Sequence, residues 1–104
     1  MTDAKVWGLL GLASRAGQVA SGESTCGIVL KRGEAALVLI DEAASVHTKK
    51  GLTDACAYRD VPAFTVDAGK LGESIGKPGR MTAAVKPGSL AQQLHRLLQP
   101  DCKI

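Results

Sequence analysis

Apolar residues occur along this chain at helical and at strand spacing in alternation, and this alternation is the strongest structural signal in the sequence. Five segments have apolar residues along one face of a helix. Their predicted inward residues are Val6, Leu9, Leu10 and Ala13, then Cys26, Val29 and Leu30, then Leu52, Ala55 and Cys56, then Leu71 and Ile75, and finally Leu90, Leu94, Leu97 and Leu98. The predicted caps at helix starts are Thr2 or Asp3, Ser45, Asp67, and Ser89 with Gln92 in a capping box.

Four shorter apolar runs between the helices predict strands at residues 19–20, 35–40, 63–66 and 81–85. The run at 35–40 is uninterrupted, which favours a central strand covered on both faces. Five helices alternating with four strands predict an α/β fold, a three-layer α/β/α sandwich with a small four-stranded mixed sheet. We expect residues 1–104 to form a single domain, with a frayed tail over residues 98–104.

Cysteine usage and hydropathy restrict the class of protein. Cys26, Cys56 and Cys102 are widely spaced and include no C-x-x-C pair, which excludes a disulfide-dense secreted framework and argues against a zinc site. We therefore expect no metal, no cofactor and a cytoplasmic location. No apolar run approaches the ~20 residues that span a bilayer, so no membrane partner is predicted.

The charge and the aromatic content restrict the partner. The net charge is +3, and the chain has one Trp, one Tyr and one Phe. A protein that stacks nucleic-acid bases on several rings lacks its rings here, and the basic excess is too small for a polybasic contact. An anionic partner must therefore be bound by a local patch.

Three clusters are candidate sites, and the first and third of them are candidates for that patch. The first is the predicted start of the second helix, where free backbone N–H groups and small hydroxyl residues suit a phosphate, together with the outward face that follows it. The second is the acidic pair that ends the central strand, the usual position of a site in an open α/β sheet. The third is a loop with two glycines and two cations. The candidate residues are Gly22, Glu23, Ser24, Thr25, Ile28, Lys31 and Arg32; Asp41 and Glu42; and Gly76, Lys77, Pro78, Gly79 and Arg80.

Catalytic readings of the same residues are weaker. The segment at 22–27 has the spacing of a G-x-S-x-G nucleophile elbow around Ser24, but Cys26 stands where the second glycine belongs. The segment at 72–77 is one residue too short between its glycines for a phosphate-binding P-loop. His47 and His95 are predicted to be solvated surface residues. We therefore expect no enzyme, with a small hydrolase that uses Ser24 as the alternative.

Several stretches, in order and spacing, resemble the L-seven-Ae (L7Ae) family of kink-turn RNA-binding ribosomal proteins, and in particular its bacterial YlxQ-like, ribosome-associated branch. The stretches are LLGLASRAG at 9–17, SGE at 21–23, KRGEA at 31–35, DEAAS at 41–45, TKK at 48–50 and LGESIGKPGR at 71–80. The resemblance implies an α/β/α sandwich that binds sharply bent RNA at one end of its sheet. It assigns RNA contact to the clusters above and adds Ile75 to the loop cluster.

The chain departs from the family at one of these contacts. Kink-turn-binding members have Asn, Glu and Lys at two, three and six residues after the glycine, where this chain has Ser24, Thr25 and Ile28. Hydroxyls still donate to phosphates and 2′-hydroxyls, but a bidentate base contact worth ~1 to 3 kcal/mol is lost. The absent Lys removes about one phosphate contact.

The sequence and the resemblance together predict a non-enzymatic RNA-binding protein of the ribosome that functions in translation. Its expected partners are structured, ribosomal RNA of bent or kink-turn-like shape and the ribosome, and we expect a monomer. The alternative is a protein-interaction module on the same fold that has lost RNA binding, in which Ile28 and Thr25 form part of an apolar patch.

Overall fold

A computed structural model describes residues 4–98 and contains five helices and four strands in that range. In chain order they are α1 (Ala4–Arg15), β1 (Val19–Ser21), α2 (Glu23–Lys31), β2 (Leu37–Asp41), α3 (Val46–Tyr58), β3 (Ala63–Val66), α4 (Lys70–Ser74), β4 (Thr82–Val85) and α5 (Ser89–Leu98). The predicted caps Thr2 and Asp3 lie outside the described residues. So does the predicted tail, apart from Leu98, which is the last residue of α5.

The strands form one mixed sheet in the order β1-β4-β2-β3. β4 is antiparallel to both β1 and β2, whereas β2 and β3 are parallel. The register pairs Ser21 with Ala83, Ile40 with Thr82, and Asp41 with Val66. The ends of β1, β2 and β3 and the beginning of β4 therefore meet at one end of the sheet, here called the Thr82 end.

Alternation along β2 divides the core into two layers. Leu37 and Leu39 face a cluster built with α1, α4 and α5, and Val38 and Ile40 face a cluster built with α2 and α3. All five residues of β2 are buried, because helices cover both faces of the sheet. The predicted α/β fold, a three-layer α/β/α sandwich with a four-stranded mixed sheet, is confirmed.

Most predicted inward residues are buried, and the rest lie at the rim of a layer. The half-buried ones are Leu9, Ala55, Leu90, Leu97 and Leu98. The prediction that His95 is a solvated surface residue is wrong. It is half-buried and packs edge-on against Phe64, with 5.7 Å between ring centroids, because α5 lies across the sheet at this point.

Two of the predicted helix caps are also wrong. Asp67 does not cap α4, which begins three residues later behind Gly69 in the left-handed conformation (φ 81°). Ser89 is the first residue of α5 itself, and the N–H of Gln92 donates to the carbonyl of Gly88 (3.1 Å). The cap at Ser45 is confirmed, since its hydroxyl oxygen accepts a hydrogen bond from the N–H of Thr48 (3.1 Å).

Candidate functional site

The three predicted clusters meet at the Thr82 end of the sheet. The N–H of Gly22 donates to the carbonyl of Thr82 (3.1 Å), and the N–H of Asp41 donates to the carbonyl of Met81 (2.7 Å). The start of α2 and the loop after β2 therefore flank the first residues of β4. The loop at 76–80 runs directly into the same strand, so segments far apart in sequence form one surface.

The start of α2 exposes hydrogen-bond donors. Its N-cap, Gly22, has φ 98° and ψ 145°, a conformation that L residues rarely adopt, and offers no side chain to cap the helix. The first intrahelical bond runs from the N–H of Cys26 to the carbonyl of Gly22 (2.9 Å). Helix geometry thus leaves the N–H groups of residues 23–25 without an intrahelical acceptor, at the positive end of the helix dipole.

Arg80 lies over this helix start. Its guanidinium Nη1 donates to the carbonyl of Ser21 (3.2 Å). A Cβ at position 22 would lie 2.5 Å from the same nitrogen, so the absence of a side chain at Gly22 admits the guanidinium. The contact brings a loop cation and the free N–H groups of α2 into one place.

The loop that carries Arg80 is a tight turn fixed against α4. The N–H of Arg80 donates to the carbonyl of Lys77 (3.2 Å), with Pro78 and Gly79 (φ 92°) in the two central positions that a type II turn gives to proline and glycine. The N–H of Lys77 in turn donates to the carbonyl of Gly72 (2.8 Å). A Cβ added at Gly72 would lie 2.8 Å from the Lys77 carbonyl oxygen, so only glycine permits this close approach. The turn therefore holds both of its cations on an exposed, braced loop.

Asp41 organises the neighbouring loops from below the surface. Its side chain is 1% exposed, and its two carboxylate oxygens accept hydrogen bonds from the N–H groups of Ala43 (2.7 Å) and Gly69 (2.9 Å). Ile75 is likewise buried, within the core beside α1 and α4. Glu42 is exposed, and its N–H donates to the carbonyl of Val66 (2.9 Å). Of the fifteen predicted site residues, Asp41 and Ile75 are buried, Gly22 is half-buried and the others are exposed.

The start of α3 also belongs to this surface, and the sequence reasoning did not place it there. The hydroxyl of Thr48 donates to the Glu23 carboxylate (3.2 Å), which joins the first turns of α2 and α3. Val46, in the same turn of α3, is 79% exposed. The signal that reveals this contact is topological. Both helices follow strands that end at the Thr82 end, so both present their N-termini there.

The outward face of α2 continues the surface away from the Thr82 end. Ile28 is 51% exposed, and Lys31 and Arg32 at the end of the helix are exposed. The opposite face is buried, as predicted, at Cys26, Val29 and Leu30. Ile28 therefore lies on a surface of hydroxyl and basic side chains rather than in the core.

Two thiols behind α2 are not reactive groups. Cys26 and Cys56 are buried in the α2–α3 layer and unpaired. Burial raises the pKa of Cys26, and it raises the pKa of Cys56 from 9.0 to about 11. At neutral pH both are protonated, and a thiol rather than a thiolate is a poor nucleophile.

Three arrangements were not found among residues 4–98: a metal-binding cluster, a histidine bonded to Ser24 and a membrane-spanning helix. Between residues 4 and 98, no cluster of three or more His, Cys, Asp or Glu side chains has the arrangement to hold a metal ion. No histidine in that range hydrogen-bonds to Ser24, so the pair that a serine nucleophile forms with a histidine base is absent there. No helix in the same range has the length and apolar character to cross a membrane.

The fold and this surface define a class, an α/β/α sandwich with two helix N-termini and a cationic turn at one end of its sheet. Comparison with known proteins identifies the family. The sequence model of the Ribosomal protein L7Ae/L30e/S12e/Gadd45 family matches residues 4–95, and the chain belongs to this family.

Two bacterial relatives match over nearly their full length. The RNA-binding protein YlxQ of Bacillus subtilis (strain 168) is 44% identical over 91 residues, which cover 86% of this chain and 91% of that protein. The RNA-binding protein YlxQ of Enterococcus faecium is 33% identical over 96 residues, with 91% and 92% covered.

Solved structures share the fold. A Bacillus halodurans protein described as having unknown function superimposes with a TM-score of 0.88 at 36% identity, covering 92% of this chain and 98% of that one. The Giardia lamblia 15.5kD RNA binding protein superimposes with a TM-score of 0.76 at 17% identity, with 93% and 91% covered. At that identity the second likeness concerns the fold alone.

Proposed function

We propose that this protein binds structured RNA at the Thr82 end of its sheet. The observation that carries the proposal is the hydrogen bond of Arg80 to the carbonyl of Ser21, beside Gly22, which adds a fixed cation to the uncapped start of α2. Free helix N–H groups and a guanidinium are the donors that phosphate oxygens take. The two bacterial relatives are named RNA-binding proteins, and the family contains ribosomal proteins, which supports RNA as the anion.

The proposed interface recognises the backbone and the shape of the RNA rather than its base sequence. The N–H groups at the start of α2 and the hydroxyls of Ser24 and Thr25 donate to phosphates and 2′-hydroxyls, and neither side chain makes a bidentate base contact. Lys77 and Arg80 supply the positive charge. This surface lies at one end of the sheet and is bordered by the turn at 77–80. In this proposal it fits a sharply bent RNA of the kink-turn type better than a straight duplex.

Not every residue in the site touches RNA in this proposal. Asp41 and Ile75 are buried, so they hold the loops in place. Glu42 is exposed beside the RNA, but its negative charge does not pair with a phosphate. The Glu23 carboxylate accepts a hydrogen bond from the Thr48 hydroxyl. Lys31 and Arg32 extend the contact along α2. The RNA is bound without cofactor or metal, and no reaction is catalysed.

The proposed setting is the ribosome. We propose that one copy of this single-domain protein binds ribosomal RNA in the cytoplasm and acts in translation. The family description and the resemblance to its ribosome-associated branch support this assignment. Sedimentation of the tagged protein with ribosomes, and its release by ribonuclease rather than by detergent, test it.

The direct test of RNA binding compares two RNAs at two salt concentrations. Filter binding to a kink-turn RNA and to an unbent duplex of equal length and composition is measured at 50 and 200 mM salt. We expect preference for the bent RNA and a steep loss of affinity with salt, because bound phosphates release counterions. Equal binding to both RNAs contradicts shape recognition, and salt-independent binding contradicts a phosphate contact.

One observation favours a second candidate function. Ile28 is 51% exposed at the position where the resemblance assigns a lysine to kink-turn-binding members of the family, and an exposed apolar side chain suits an apolar protein contact. If the fold serves as a protein-interaction module, a partner captured from lysate survives ribonuclease and is lost with Ile28→Asp. Capture that is abolished by ribonuclease contradicts this candidate.

A further inference from the structure

A second cluster of exposed residues lies at the opposite end of α2, where α2 and α3 both end. Tyr58 is the last residue of α3, and its side chain is 85% exposed. The guanidinium carbon of the next residue, Arg59, lies 5.6 Å from the centre of the Tyr58 ring. Lys31 and Arg32, at the end of α2, are exposed beside them. We call these four residues the distal cluster.

Arg59 joins the two helix ends and fixes the geometry of the cluster. Its Nη1 donates to the carbonyl of Lys31 (3.3 Å), one of the carbonyls at the end of α2 that has no intrahelical donor. A structural role therefore accounts for Arg59. It does not account for Tyr58, whose ring belongs to neither core cluster and is almost wholly in water.

We infer that the distal cluster binds an unpaired nucleotide of the same RNA that occupies the Thr82 end, and this inference rests on the proposed function. One face of the Tyr58 ring lies against the Arg59 guanidinium, and the other is open to stack a base. Lys31 and Arg32 pair with the adjoining phosphates. The outward face of α2, with Ile28 at its centre, connects the two sites.

The length of α2 determines the RNA that reaches both sites. Nine residues at ~1.5 Å per residue make the helix about 13.5 Å long. An RNA seated at the Thr82 end therefore needs a single-stranded extension of a few nucleotides to reach Tyr58. A bent RNA without an extension follows α2 toward Lys31 and Arg32 but ends before Tyr58.

The local charge shows which force dominates at the cluster. Along the chain, Lys31 and Arg32 are followed by the exposed acid Glu34, and Arg59 is followed by the exposed acid Asp60. The net positive charge around the cluster is therefore small. Stacking on Tyr58 must then provide most of the added affinity. The gain from an extension should consequently depend less on salt than the binding at the Thr82 end does.

The experiment measures the affinity of the whole protein for a bent RNA with and without a six-nucleotide single-stranded extension, placed at either end of the RNA. The wild type and Tyr58→Phe are expected to bind the better-placed extended RNA about fivefold or more tightly than the bare RNA. Tyr58→Ala should lose that gain and bind the bare RNA unchanged. Thr53→Ala, an exposed α3 substitution, is the matched control.

A second readout locates the contact. A 4-thiouridine in the extension should photo-crosslink to the peptide that contains Tyr58. Intact binding of the bare RNA with no gain from either extension, or a gain that Tyr58→Ala retains, overturns this inference and leaves the proposed function standing. Failure to bind the bare RNA overturns both. A mass that doubles with concentration in sedimentation without RNA, and only in variants that keep the ring, identifies Tyr58 as a contact between copies and also overturns it.

Discussion

The guanidinium of Arg80 donates to the carbonyl of Ser21 and occupies the space that a side chain on Gly22 would take. One glycine thus permits two features of the surface, the turn into α2 and the close approach of a cation from the loop before β4. The sequence around Gly22 or around Arg80 does not reveal this contact, because 58 positions separate the two residues along the chain.

Gly22→Ala disturbs both features, and its comparison with Gly17→Ala separates them. The new Cβ would lie 2.5 Å from Nη1 and the backbone has φ 98°, so we expect a loss of about 1 to 3 kcal/mol in the free energy of unfolding and a displaced Arg80. RNA affinity should fall as well. Gly17→Ala is the matched control, because its φ is 73° with no atom within 4 Å of an added Cβ. Urea unfolding should show a loss in both variants, and filter binding a loss in Gly22→Ala alone.

Arg80→Ala tests the loop cation directly. Removing one phosphate contact should weaken binding to all RNAs alike and reduce the slope of log K against log salt by about one. Arg96→Ala removes an exposed cation from α5, whose first residue follows the opposite end of β4, and should leave the slope unchanged. Equal slopes for wild type and Arg80→Ala would show that the guanidinium serves only to hold Ser21.

Asp41→Asn tests the organisation of the loops. An amide presents one acceptor where the carboxylate presents two, and its NH₂ group then opposes a backbone N–H that has no other acceptor. We expect a loss of about 1 to 3 kcal/mol in the free energy of unfolding, because the site is buried. Glu42→Gln, at the exposed neighbouring position, should change it by less than about 0.5 kcal/mol. Urea denaturation of both variants provides the comparison.

The buried thiols predict a loss of stability at high pH. Burial raises the pKa of Cys56 to about 11 in the folded protein, against 9.0 for an unburied thiol. Below pH 9 both states hold the proton and stability is unaffected. Between pH 9 and about 11 the unfolded state releases it first, so the free energy of unfolding falls by up to about 1.4 kcal/mol per pH unit.

Cys56→Ala isolates this contribution from that of other groups that titrate in the same range. The variant loses core contacts and is less stable at pH 8, but its decline between pH 9 and 11 should be shallower than that of the wild type. Parallel curves of unfolding free energy against pH would contradict the shift in the Cys56 pKa.

Ile28→Lys tests whether the outward face of α2 approaches RNA. The side chain is 51% exposed, so the substitution should not disturb the core. A cation at this position is expected to raise the affinity for kink-turn RNA several-fold, and the preference over an unbent duplex should grow with it. Ile28→Gln is the uncharged control. No gain from the lysine would place this face away from the RNA backbone.

The spacing of apolar residues predicted the helices and strands correctly, because each of these elements carries its own run or face of apolar residues. The five helices and four strands appear in the predicted order, and residues 63–66 form β3 as predicted. The two wrong helix caps, Asp67 and Ser89, fall at the beginnings of elements. Near the first of these positions a polar group forms its hydrogen bond with a segment that is distant in the sequence. Gly69 donates its N–H to Asp41 from 28 positions away, and no local pattern reveals such a bond.

The sequence by itself determined the alternation of elements, the two-sided burial of the apolar residues 37–40 and the positions of the loop cations, because these follow from local spacing and hydropathy. The tertiary structure alone decided which of the candidate residues share a surface. It placed Arg80 over Gly22, joined Thr48 to Glu23, and buried Asp41 beneath the loops that it holds. The physical reason is the antiparallel placement of β4 between β1 and β2, which brings distant loops to one end of the sheet.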